Sequence, residues 1–329
     1  MRRTWKALAI SIIVTTLVVL TALVPASSVF SQSAGQGLEI SPPLLDLKAD
    51  PGQALTQQIR LRNVTTQTLV ARAQYDDFVA SGEDGQPKLL LDNNTISPFS
   101  IKAWLSSIEN ITLAPNEQKT ITLTIHVPKD AGPGGHYGVI RFTGAPPDVD
   151  ESAVSLSASI GTLVLVNVSG NVKEEAKIAE LFTSDKNAKK RTFFEYGPVL
   201  ITARIENTGN VHIQPSGVIR VTNMFGKEVA SYQLNQKKGN VLPSSIRKFE
   251  HTYDKKLLFG RYKIQADLVY GADNKIISSN MTIWAIPYKL IGIALGVIVL
   301  LVFLVRGYNR YILKRAMGKT DGGKNKTKQ

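Results

Sequence analysis

Eight stretches between residues 55 and 287 alternate apolar and polar side chains and are separated by turn-forming residues. In the first half these are "LTQQIRLRNV", "KTITLTIHVP", "HYGVIRFTG" and "AVSLSASIGTLVLVNVSG"; in the second, "VLITARIENTG", "GVIRVTN", "RYKIQADLVYG" and "SSNMTIWAIP". A period of two is what a half-buried strand needs, because successive side chains leave the backbone on opposite faces of the sheet. No stretch sustains a helical repeat apart from a turn or two around residues 98–108. Short strands at this spacing predict an all-β chain built of sandwiches.

The two ends of the chain differ in kind from this middle. Arg2, Arg3 and Lys6 precede an uncharged run from Ala7 to Val24, and the small-residue stretch "PASSVFSQSAGQG" follows. Positive, apolar and cleavable segments in that order read as a secretory signal over residues 1–34. An uncleaved anchor is the alternative, because a run of this length just reaches across a bilayer. Near the other end, Leu290 to Val305, "LIGIALGVIVLLVFLV", carries no charge. At about 1.5 Å per residue it covers about 24 Å. Tyr288, Lys289, Arg306, Tyr308 and Arg310 can extend the span by aromatic anchoring and snorkelling. One transmembrane helix is therefore expected over 287–306, contacting the plasma membrane through Leu290 to Val305.

Charge orients the molecule. The net charge is +13. Residues 306–329 hold eight Lys or Arg against one Asp and the leader adds three cations, which leaves +3 on the middle region. The high isoelectric point thus belongs to the termini and is no nucleic-acid footprint. Basic residues stay on the cytoplasmic side, so residues 307–329 are expected as a cytoplasmic tail and the ectodomain outside, in a single-pass protein. The chain has no cysteine. That removes thiol catalysis, thiolate metal sites and disulfides, and leaves core burial to hold a middle region long enough for two domains.

The two halves of that middle resemble each other. Each has a Leu and a Pro ahead of a strand, then a turn, then Gly-x-Tyr opening another alternating strand: Gly135-His136-Tyr137 and Gly260-Arg261-Tyr262. Each also has a strand closed by an Asn, at Asn63 and Asn207. A Gly-x-Tyr repeated at one topological position is what a sandwich needs where the chain crosses between sheets, the Gly allowing unusual φ and the Tyr filling the core edge while its hydroxyl caps a loop carbonyl. Gly135, Tyr137, Gly260 and Tyr262 are accordingly expected as structural corners of two immunoglobulin-like β-sandwich domains, over 37–172 and 176–285, with a linker near "NVKEEAKIAE".

Catalytic and metal chemistry finds little support. A phosphate-cradling loop needs its glycines between a strand and a helix, whereas "PKDAGPGGHYGVIRFTG" leads into a strand. His126, His136, His212 and His251 stand singly and read as structural. Asp76, Asp77, Glu83, Asp84 and Asp92 surround a hairpin-like "EDGQ", but without the cadence of a calcium loop, and read as a solvated turn. Neither a Gly-x-Ser-x-Gly elbow nor a His-Glu-x-x-His is present. No catalytic, cofactor or metal residue is assigned. Six Asn-x-Ser/Thr sequons, one of them at Asn325 in the expected tail, read as incidental composition.

One strand offers a binding face. From Val154 to Ile160 the even positions are apolar, while Ser155, Ser157 and Ser159 point the other way; past Gly161 both faces become apolar. Uncharged hydroxyls on an unguarded strand can accept a partner strand or present themselves to a glycan. The alternative is an interior strand with small residues for close packing.

The run "APNEQKTITLTIHVPKDAGPGGHYGVIRF", followed by "VSLSASIGTLVLVNVSG", is similar to the N-terminal domain of bacterial WxL-interacting, membrane-anchored surface proteins, a β-sandwich regarded as peptidoglycan-binding. The second half, with "FFEYGPVLITARIENTGNVHIQPSGVIRVTNMFGKEV", resembles a companion immunoglobulin-like surface domain ending in "WAIP" ahead of the anchor. The resemblance implies a non-catalytic cell-surface protein whose partner is cell-wall glycan or a surface protein. The alternative is a secreted enzyme, or an enzyme accessory domain, held at the membrane.

Overall fold

The computed structural model describes residues 37–91, 97–147 and 159–320. The expected leader, Asp92, the sequons at Asn93 and Asn325, and Ser155 and Ser157 lie outside these residues.

The first half contributes Leu38–Ser41 (β1), Leu44–Ala49 (β2), Ala54–Asn63 (β3), Leu69–Ser81 (β4), Gln86–Leu90 (β5), Ile111–Leu113 (β6), Gln118–His126 (β7), Gly134–Ala145 (β8) and Ser159–Val168 (β9). They form a three-stranded sheet in the order β1-β3-β7 and a larger one in the order β2-β9-β8-β4-β5, with β6 added on β4. Alternation explains the core between them. Ile59, Leu61, Leu123 and Ile125 of the small sheet and Ile140, Phe142, Val164 and Val166 of the large one are all fully buried, each pair two residues apart.

The second half contributes Ala176–Ser184 (β10), Phe193–Phe194 (β11), Val199–Asn207 (β12), Ser216–Asn223 (β13), Glu228–Leu234 (β14), Ile246–Tyr253 (β15), Gly260–Tyr270 (β16) and Lys275–Ala285 (β17). Its sheets run β10-β12-β15 and β11-β17-β16-β13-β14. Ile201, Ala203 and Ile205 face Ile219, Val221, Ile264 and Leu268 in a second buried cluster. Ala176, where the second domain was expected to begin, opens β10, so only the first part of the charged stretch at 171–180 is a connection.

The two halves share one plan. In each, a short strand lies parallel to the last strand: Leu44–Ala49 against Leu163–Val168, and Phe193–Phe194 against Trp284–Ala285. In each, the central strand of the small sheet ends on a buried Asn. Asn63 Nδ2 donates to the carbonyls of Gln67 (2.7 Å), Leu113 (3.2 Å) and Ala114 (3.0 Å), and Oδ1 accepts from the Thr65 N–H. Asn207 Nδ2 donates to Val211 (2.7 Å) and Val241 (2.8 Å), and Oδ1 accepts from the Gly209 N–H. One amide thus closes a turn and ties it to a distant segment. That role explains why Asn63 is a structural residue despite its sequon.

Only Ile286 and Pro287 separate β17 from a helix, Tyr288–Thr320 (α1). Within it, Tyr288–Leu313 is apolar enough to cross a bilayer and none of it is buried against the rest of the protein. The helix continues past Arg306 into the segment expected as a tail. The turn or two expected around 98–108 is a single 3₁₀ turn, Lys102–Trp104, with Trp104 buried.

Candidate functional site: the seam between the sandwiches

The Gly-rich stretch is a corner of the first sandwich and also part of its contact with the second. The Gly135 N–H donates to the Asn210 carbonyl at 2.8 Å, while Asn210 Nδ2 reaches the Pro133 and Asn171 carbonyls at 3.1 Å. Gly134 has φ +118°, and a Cβ there would lie 2.5 Å from the Asn210 carbonyl oxygen, so this close approach needs glycine. A Cβ on Gly135 would lie 1.9 Å from the Tyr137 hydroxyl, which explains the Gly-x-Tyr pairing.

Tyr137 is 2% exposed and has Phe78, Phe99 and His212 around its ring. Its hydroxyl stands 3.4 Å from His212 Nδ1, and His212 Nε2 stands 3.1 Å from Asp46 Oδ1. The carboxylate can only accept, so Nε2 carries a proton, and in the neutral imidazole Nδ1 then accepts from the tyrosine hydroxyl. Burial pushes the Tyr137 phenol well above its usual range and keeps the proton in place. The partner is thus a histidine of the other sandwich, where the sequence reading expected a loop carbonyl. Tyr262, 4% exposed, likewise caps no carbonyl among the described residues: its hydroxyl accepts from the Phe259 N–H at 3.3 Å and its ring meets Tyr253. Gly260 beside it has φ +90°.

The "EDGQ" turn is not the free solvated turn that its composition suggested. Glu83 takes two bonds from the Arg204 guanidinium of the second sandwich, one of them at 2.9 Å. Arg204 also reaches Glu180 at 3.1 Å, and Lys248 pairs with Asp84 at 3.1 Å while its N–H donates to the Glu83 carbonyl. The Arg204 bonds hold the Glu83 carboxyl below the usual carboxylate range. Asp77 is fully buried and accepts from the Ser97 N–H and the Ser100 hydroxyl; Asp76 pairs with Arg141 at 2.9 Å. Among the described residues no group of three or more His, Asp or Glu converges as a metal site would.

Between the "EDGQ" hairpin and residues 237–247 lies a cavity of about 330 Å³. Phe78, Leu163, Leu165 and Leu242 supply its apolar wall; Lys237, Lys238 and Arg247 supply its charge. Arg247 donates to the Asn240 carbonyl at 2.9 Å and lies over the Phe249 ring, and it has no carboxylate partner among the described residues. Burial lowers its pKa, as expected for a cation short of counter-charge. Such a cavity can take an anionic group carried on an apolar or sugar-ring body.

The other candidates are placed as follows. Ser159, half-buried, opens β9 opposite Thr143 of β8. From Leu163 onward β9 is flanked by both β8 and β2, so its second part is interior. His136 bonds the Gly132 carbonyl at 2.8 Å and packs on Trp104; His251 stacks on Tyr232; His126 is exposed. Arg204, Arg247, Asn210 and His212 were not singled out as seam residues in the sequence. Their partners lie far along the chain, and no motif marks such pairings.

No family model matches the chain, and no curated protein does. Solved structures do. The class 5 fimbriae chaperone CfaA is 13% identical with a TM-score of 0.36, covering 74% of this chain and 98% of its own. The YadV chaperone is 12% identical with a TM-score of 0.38, covering 75% and 100%. The E. coli chaperone DraB is 13% identical with a TM-score of 0.35, covering 74% and 98%. Sandwich folds host many unrelated functions, so these likenesses assign none.

Proposed function

We propose that the chain is a membrane-anchored bacterial cell-surface protein that binds cell-wall glycan or a surface protein through its two-sandwich ectodomain and does no chemistry on it. The observation that carries this reading is α1, where Tyr288–Leu313 is apolar, long enough to span and wholly unburied by the protein. Water would not tolerate so long an exposed apolar helix, whereas a bilayer would. Arg247, which has no carboxylate partner among the described residues, is with Lys237 and Lys238 at the seam cavity the place where an anionic group of the partner would sit. Three carboxylates around the "EDGQ" hairpin are engaged structurally, Asp77 with Ser97 and Ser100, Asp76 with Arg141 and Glu83 with Arg204. Resemblance to WxL-interacting surface proteins favours the wall as partner.

Detergent-solubilised full-length protein is expected to sediment with purified peptidoglycan. The double variant Lys237→Glu, Arg247→Glu is expected to reduce the bound fraction at unchanged melting. No sedimentation of the wild type would exclude glycan and leave the protein partner.

A further inference from the structure

The two sandwiches follow each other head to tail, so the same end of each meets what comes next in the chain. In the first, that end consists of the β4–β5 turn at 82–85, the segment before β8 and the exit from β9. All three dock on the second sandwich, through Glu83 on Arg204, Pro133 on Asn210 and Asn171 on Asn210. The matching parts of the second are the β13–β14 turn at 224–227, the segment at 254–259 before β16 and the exit at 286–287.

There the surface is apolar and exposed. Of the eleven large hydrophobic residues exposed ahead of α1 among the described residues, seven lie at this end: Phe193, Tyr196, Met224, Phe225, Leu257, Phe259 and Trp284. The register draws them together. Phe193 pairs with Trp284, Trp284 with Arg261, and Asn223 with Tyr262, while the Gly197 N–H bonds the Lys256 carbonyl and Met224 lies against Gly260. Phe225 at the tip is 80% exposed. Lys227, Lys255, Lys256 and Arg261 are exposed and make no ion pair among the described residues, against the nearby acids Glu195, Glu228 and Asp254. A protein partner is a poor match for so many lysines among the aromatics, since lysine is depleted in protein interfaces. Aromatic rings mixed with cations are what the lipid–water boundary selects.

The tether leaves little choice of neighbour. Two extended residues span about 7 Å. Even these are pinned, with the Ile286 N–H on the Phe194 carbonyl at 2.9 Å and Lys289 paired with Glu195 at 2.9 Å. A helix entering the bilayer at Tyr288 therefore brings this end of the sandwich down to headgroup level.

We infer that the α1-proximal end of the second sandwich, led by Phe225, Leu257 and Phe259, beds into the outer leaflet of the membrane that α1 crosses. Lys227, Lys255, Lys256 and Arg261 lie on anionic lipid phosphates, and the ectodomain stands at a fixed inclination to the bilayer. This rests on the anchoring reading above.

The absence of cysteine makes the test direct. Full-length Phe225→Cys, Leu257→Cys, Asp273→Cys and Leu300→Cys are spin-labelled and reconstituted in vesicles of phosphatidylglycerol and phosphatidylcholine. Collision with oxygen is then compared with collision with a water-soluble nickel chelate. Labels at 225 and 257 are expected to show an oxygen-to-nickel ratio severalfold above the label at 273, at the opposite end, and below the label at 300. Exchanging Lys255 and Lys256 for Glu is expected to move the 225 label toward water. A watery 225 with a lipid-immersed 300 would overturn this inference alone. A watery 300 would overturn the anchoring reading with it. A 225 label shielded from both reagents would mean a protein surface covers this end, and would also overturn the inference.

Discussion

The two sandwiches are two uses of one plan, and they differ most at the end from which each hands the chain on. At that end of the first, Tyr137 reaches His212 of its neighbour, and Glu83 in the adjoining turn meets Arg204. At the same end of the second, Tyr262 keeps its hydroxyl at home on the Phe259 N–H, and the adjoining turn presents Phe225 to its surroundings. The strand order that makes the sandwich is indifferent to this change. What differs is the chemistry of the loops, charged and hydrogen-bonding where a protein neighbour waits, aromatic and basic where α1 leaves. Loops carried on a rigid scaffold are free to vary in this way.

The comparison can be broken most forcefully at the corner tyrosines. Tyr137→Ala and Tyr262→Ala are each expected to cost roughly 3–5 kcal/mol, as for other large aromatic truncations in a core. Denaturant melts should show both losses. Only the first should also loosen the seam, seen as faster proteolysis between residues 169 and 176. Equal seam protection in the two variants would mean that Tyr137 serves its own sandwich alone.

A smaller loss is expected at the paired asparagines. Asn63→Ala and Asn207→Ala each strand buried carbonyls that the amide now satisfies, at a cost of about 1–3 kcal/mol. Near-equal losses in thermal unfolding would support one shared device, and a loss confined to one half would break the equivalence.

The smallest effect belongs to the ionic contact between Glu83 and Arg204, whose counterpart turn at 224–227 in the second sandwich presents Phe225 instead. Arg204→Met is expected to weaken the junction by about 1 kcal/mol or less, because the pair is only partly buried. The Glu83 carboxyl titrates below its unfolded value because Arg204 bonds it. Its contribution is therefore full above the unfolded pKa of about 4.3 and is lost as pH falls through the lower folded value. Wild-type seam protection should drop in that acidic window, while the Arg204→Met junction should be much less sensitive.

Much of this fold was legible in the residues. Period-two alternation located β3, β7, β8, β12, β13, β16 and β17 to within a few residues, because a half-buried strand writes its own burial pattern. Strands such as β5, β11 and β14 did not stand out. They are short and lie at the edge of their sheet, with too few buried positions to write a pattern: none in β5 and one each in β11 and β14. The Gly-x-Tyr repeat at Tyr137 and Tyr262 showed in the sequence, but the hydroxyl partners did not, since His212 and the Phe259 N–H are set by how loops meet.

The sequence by itself determined the all-β class, the apolar C-terminal stretch and the position of most of the alternating strands. Each depends on local periodicity or on composition along a contiguous stretch. Only the tertiary structure decided that "EDGQ" is a docking turn, that Arg204 bridges Glu83 and Glu180, and that Arg247 faces a cavity with no carboxylate among its described lining residues. Those facts depend on which surfaces two folded sandwiches bring within bonding distance. Side chains 121 residues apart, such as Glu83 and Arg204, carry no local trace of each other until the chain between them has folded.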